Sequence, residues 1–124
     1  MSGPARLFTL AEASALLPTV GPLLESLRAA QEAMETRSED VVTSIPTNGG
    51  GAVHRAFLAA ARTAGRSLEA LNELGVVVRD PETGLIDFPT EREGETVFLC
   101  WRLGEDAIAW WHTTDTGFSG REPL

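Results

Sequence analysis

The chain contains no lysine; all ten of its basic residues are arginine. This removes Schiff-base chemistry, a lysine general base and the lysine-bearing phosphate loop from consideration. Cysteine occurs once, at Cys100. No internal disulfide can form, and a cytoplasmic setting fits best. Positive charge is scarce, with ten basic residues against eighteen acidic ones and a formal net charge of −8. A phosphate backbone or an anionic membrane surface needs clustered positive charge, so neither nucleic acid nor a membrane is an expected partner. A cationic ligand, a metal ion or a basic protein patch is better tolerated. No apolar run approaches the ~20 residues of a membrane span. The opening "MSGPARLF" has no apolar stretch of signal-peptide length. Paired-cysteine zinc motifs, a serine elbow and a glycine-rich phosphate loop are also missing. "NGGG" follows no strand and reads as a flexible link.

What remains is a chain of 124 residues with 43% hydrophobic and 23% charged positions, the size and mixture of one globular domain. Its two parts differ in period. From Thr9 to about Leu74 the apolar positions step by three and four. Thr9 and Glu12 have capping-box spacing. Leu16, Val20, Leu23, Leu27, Ala30 and Met34 then lie on one helical face. Pro18 and Pro22 predict a short first turn, a break or kink, and a long helix to about Thr36. "RSEDVVTSIPTNGGG" (Arg37–Gly51) reads as a connector. A second helix over Ala52–Leu74 carries Val53, Phe57, Ala60, Ala64, Leu68 and Leu71 on its stripe, with Gly75 as its cap. Narrow, Ala-rich stripes suit an antiparallel hairpin.

After Gly75 the period becomes two. Strands are predicted at Val76–Arg79, Leu85–Phe88, Val97–Leu103 and Ala107–Thr113, around turns at Asp80–Gly84 and Gly104–Asp106. Short connections imply antiparallel pairing. The tail "DTGFSGREPL" should be irregular. The expected fold is α+β: a helical hairpin (about 9–75) packed on a small, about four-stranded antiparallel sheet (about 76–124).

"FTLAEASALLP", "GLIDFP", "CWRLGEDAIAWWH" and "GFSGREPL", in this order, resemble a prokaryotic family known only as domain of unknown function 2203. The resemblance spans nearly the whole chain and is weakest around Ser38–Gly51. It implies a bacterial, actinobacterial, cytoplasmic origin. It marks Asp87, Trp101, Arg102, Glu105, His112, Gly117 and Arg121 as part of the pattern, and it brings no activity or residue roles with it.

The last quarter of the chain, from Val97, holds all three tryptophans, the cysteine and one of two histidines. A Cys100–His112 nucleophile pair is one reading. With a turn of two or four residues, Trp101 faces Trp110, Cys100 faces Trp111 and Leu99 faces His112, which puts Cys100 and His112 on opposite sheet faces. A three-residue turn or a bulge would reverse that. Cys100 is then expected to be a buried core thiol. Both faces of these strands are apolar, so the face away from the helices needs a cover. A second copy of the chain and the folded-back tail are equal candidates.

His112 and Asp115, with Asp87, form a candidate divalent-metal set: imidazole and carboxylates both ligate such ions, and a carboxylate can also orient an imidazole. A structural hydrogen bond for His112 is the commoner outcome for such a residue. Arg102 and Arg121 can grip a carboxylate or phosphate, or pair with internal acids. Trp110 can shield a site from water. Glu105 lies at the turn, roughly 17 Å from His112 at ~3.3 Å per strand residue, which separates the two within one chain. His54 is expected to be exposed. Two functional readings follow. One is a self-associating, non-enzymatic or regulatory domain. The other is a metal- or small-ligand-binding protein, as binder or enzyme, with its site around His112.

Overall fold

The computed structural model describes residues 6–44 and 51–124. Two helices lead into a five-stranded antiparallel meander. Helix α1 spans Leu10–Ser44 and helix α2 spans Gly51–Leu74. The strands are β1 (Val77–Asp80), β2 (Leu85–Arg92), β3 (Glu95–Arg102), β4 (Trp110–His112) and β5 (Glu122–Pro123), in that spatial order.

α1 starts with the predicted reciprocal cap. The Thr9 amide donates to Glu12 Oε1 at 2.8 Å, and the Glu12 amide donates to Thr9 Oγ1 at 3.1 Å. The Thr9 amide holds the Glu12 carboxyl below its ordinary range. The expected break at Pro18–Pro22 does not occur; α1 is one helix of 35 residues with both prolines inside it. The physical reason is their placement. Pro18 and Pro22 are four apart and both exposed, so the carbonyls they leave unpaired face water. The opposite face, with Ala13, Val20, Leu24, Leu27 and Ala30, is buried, and that packing keeps the helix continuous past both prolines. α1 also runs past the expected end at Thr36, which shortens the connector; residues 45–50 of that connector lie outside the described residues. α2 matches its expected span to within one residue. Leu71 and Ala64 are buried as expected, whereas Leu68 is exposed and Ser67 takes the inward position beside them.

The sheet has one strand more than expected, because β5 in the tail pairs with β4. The β2–β3 hairpin is also longer. It closes at Glu93-Gly94, both with positive φ (53° and 81°), the backbone that a tight two-residue hairpin turn requires. β4 is shorter than predicted, and residues 103–109 form a loop from which Ile108 turns into the core.

The register decides which residues meet. β2 pairs Asp87 with Cys100, and β3 pairs Cys100 with Trp110 and Phe98 with His112. Ile86, Phe88, Leu99 and Trp101 share a buried cluster with helix residues Val20, Leu24, Leu27 and Leu71, and Trp111 packs against it. Asp87, Cys100 and His112 are on the other face. The expectation that Cys100 and His112 lie on opposite faces is therefore wrong. The irregular 103–109 loop shifts the pairing by one residue relative to a two- or four-residue turn. A one-residue shift exchanges the two faces of a strand.

Candidate functional site

On the face away from the helices, three neighbouring strands each contribute one chemical group. Asp87 comes from β2, Cys100 from β3 and His112 from β4. All three are buried, with Asp87 1%, Cys100 1% and His112 3% exposed. His112 Nε2 lies 2.9 Å from Asp87 Oδ2, and Arg79 donates from Nε to the same oxygen at 2.7 Å. Arg79 reaches Asp87 from β1, whose pairing with β2 is irregular between Val78 and Asp80. Its guanidinium also covers the Phe98 ring at 4.8 Å.

The other ring nitrogen of the histidine is committed. His112 Nδ1 is 2.7 Å from the Thr113 carbonyl oxygen. A carbonyl only accepts, so Nδ1 carries the hydrogen. Nε2 is left facing the carboxylate. That contact needs a hydrogen on the ring or the acid. The second carboxylate oxygen, Asp87 Oδ1, is buried and has no hydrogen-bond partner among the described residues. Such atoms are rare in native proteins and ask for an explanation.

Cys100 is the third member. Burial, and then the charge of Asp87, push its thiol up from 9.0 to about 11. Arg121 approaches the sulfur, with Nη1 3.9 Å from Sγ. Its guanidinium is clamped by Glu105, with Nη2–Oε2 at 3.1 Å, and stacks over Trp110 at 4.7 Å and Phe118 at 4.3 Å. Glu105 is placed by its own loop, where its Oε1 accepts from the Arg102 amide at 2.8 Å and its carbonyl accepts from Trp101 Nε1 at 3.1 Å. Glu105 thus reaches the centre only through Arg121. The loop turns its carboxylate inward, and Arg121 links it to Cys100.

A cleft of about 360 Å³ opens on this centre. Asp87, Cys100, His112, Arg79 and Asp115 line it. Of the proposed metal set, Asp87 and His112 touch; Asp115 is exposed on the cleft wall, outside the close cluster of Asp87, Cys100 and His112. Arg121, Glu105 and Trp110 flank the centre. Arg102 does not line the cleft; its guanidinium lies over Phe118, which does, at 5.1 Å. His54 is exposed on α2, as expected. Two members were missed: Arg79, and Cys100 as a neighbour of His112. Arg79 had a readable signal, because it and Asp87 flank one hairpin turn with same-face spacing.

A conserved family described as "Uncharacterized conserved protein (DUF2203)" matches residues 6–124. The chain belongs to this family. No curated protein and no solved structure matches it. The family carries no stated activity, so function rests on the geometry. Among the described residues no helix is long and apolar enough to cross a membrane.

Proposed function

We propose that this DUF2203 protein is a non-enzymatic, regulatory domain that self-associates. The observation that carries the reading is an apolar groove of about 550 Å³ between the N-terminal segment, β2, β3 and the C-terminus. Leu7, Leu10 and Leu124 border it and are 43%, 45% and 46% exposed, while Val97, Leu99 and Trp111 form its wall. One patch thus offers both projecting leucines and a recess. Two copies related by a two-fold axis can fill each other's groove, and contiguous exposed apolar surface of this kind marks interaction sites. The tryptophan-bearing face considered from sequence is a poorer interface, because Arg121 and Phe118 of the tail already stack there.

The state of the buried centre supports a non-enzymatic role. Its thiol is held protonated, its acid is engaged by Arg79 and His112, and its second arginine is locked to Glu105. Light scattering at micromolar concentration should give a dimer mass. Leu7→Asp combined with Leu124→Asp should return a folded monomer, since both side chains are exposed. A monomeric mass for the unaltered chain at every concentration overturns self-association.

A second reading, ligand binding in the cleft at His112, has its own support in Asp87 Oδ1, a buried acceptor without a partner beside that cleft.

A further inference from the structure

We infer that Asp87, Cys100 and His112 together form a binding site for one divalent cation of the zinc type, a site that includes the thiol and leaves Asp115 outside the ligand set. The inference rests on the ligand-binding reading of the cleft and names its ligand.

Three observations carry it. The first is proximity: one ligand atom from each of the three side chains lies within 4.8 Å of the others. With Zn–N and Zn–O near 2.0–2.1 Å and Zn–S near 2.3 Å, tetrahedral ligand atoms stand about 3.3–3.6 Å apart, so side-chain adjustments of about 1 Å complete the geometry. The second is the histidine. Ligating histidines almost always donate their other ring N–H to a carbonyl or carboxylate, which fixes the tautomer. His112 does this through Nδ1 to Thr113 and presents Nε2 to the cluster. The third is Asp87 Oδ1, buried and without a hydrogen-bond partner among the described residues, so its lone pairs are free to ligate. Arg79 can keep its bond to Oδ2 while Oδ1 ligates.

The surroundings agree in charge and in chemistry. Two guanidiniums, Arg79 and Arg121, face three carboxylates, Asp87, Glu105 and Asp115. A divalent ion that displaces the thiol proton balances them. Arg121 near Sγ can donate to the resulting thiolate. A sulfur, nitrogen and oxygen set selects zinc over magnesium or calcium, which prefer oxygen alone. Three protein ligands leave a fourth position, and here it faces the cleft with Asp115 and Thr116 on its walls.

The test uses the reduced full-length chain. Calorimetry with zinc should give one ion per chain. Cobalt in its place should give a tetrahedral spectrum with a sulfur-to-cobalt charge-transfer band. Cys100→Ala should abolish that band and weaken zinc by at least about 100-fold, beyond the 10–100-fold that loss of a ligand's supporting hydrogen bond costs. A far-UV circular dichroism check confirms that the variant is folded. Cobalt binding without a sulfur band in the unaltered protein overturns the assignment whether or not any variant folds. So does equal zinc affinity in folded Cys100→Ala, or no response to zinc and cobalt at all. A thermal shift with inorganic phosphate but none with zinc also overturns the metal, while leaving the cleft as a ligand site built on its arginines.

Discussion

Removing the carboxylate at position 87 should separate two roles, that of a charge and that of a shape. Asp87 is almost fully buried, and its Oδ2 serves both His112 and Arg79. In Asp87→Ala the His112 ring keeps its Nδ1 bond to Thr113 but loses its Nε2 partner in a buried place. An unsatisfied buried polar group costs about 1–3 kcal/mol. The void left by the carboxyl adds about 1 kcal/mol. Arg79 adds little, because its side chain is 44% exposed and can turn to water. The expected loss is about 2–4 kcal/mol. Asp87→Asn keeps the volume, and its amide can donate to a neutral Nε2. Only the half-exposed arginine contact is weakened, so the expected loss is about 1 kcal/mol. Urea denaturation followed by tryptophan fluorescence measures both, with stability read from the midpoint at constant slope. If asparagine costs as much as alanine, the charge itself is required and the hydrogen-bond reasoning fails. If alanine costs under 1 kcal/mol, the cluster does not contribute to the fold.

Gly84→Ala should destabilise by about 2–4 kcal/mol in the same assay. Gly84 has φ 74°, and an added Cβ would stand 2.6 Å from Leu103 Cβ, so left-handed strain and overpacking combine; a neutral effect would show that the Asp80–Gly84 turn is free to move away from β3. Cys100 should react slowly with a thiol reagent at pH 8, with the rate rising about tenfold per pH unit until the thiol titrates at about 11; free-thiol rates at pH 8 would show that the centre opens readily. Because the folded value is raised, Cys100 stabilises the fold fully below its unfolded pKa, and that contribution is lost as pH rises from about 9 to about 11. Denaturation midpoints that are flat across this window in unaltered protein, and no different in Cys100→Ala, would contradict the shift.

The helical part was readable because its signals are local. The Thr9–Glu12 cap and the three-four stripe act within one or two turns. The prolines misled, because a sequence shows that an N–H is missing but not which side of the helix its freed carbonyl faces. Pro18 and Pro22 face water, and tertiary packing on the opposite side sustains the helix. The strands were readable as alternation, yet their ends were not. Glu93 in a left-handed turn is uncommon for a non-glycine residue, so the β2–β3 hairpin gave a weak signal at Gly94 alone. The candidate site was half legible. His112 and Asp87 stand out as residue types, but nearness to His112 in sequence does not bring Asp115 into the cluster. Arg79 and Cys100 come from other strands, and only the register brings them there. Turn length sets that register, and the turn signal at Gly104–Asp106 in "LGEDAIA" does not say how many residues leave the ladder.

The 103–109 loop therefore acts as a parity element. Surface loops usually accept extra residues at little cost. Here a change of length that shifted β4 by one residue against β3 would turn Trp111 to the face of Asp87 and His112 to the face of the leucines under the helices. A change of two residues would restore the same faces. Length variation in this loop should then come in steps that keep the imidazole beside the acid, and a natural or engineered chain with an odd change would need a bulge in β4 to recover it. What looks like an irregular surface connection decides whether the imidazole or an indole of β4 stands on the face of the acid and the thiol.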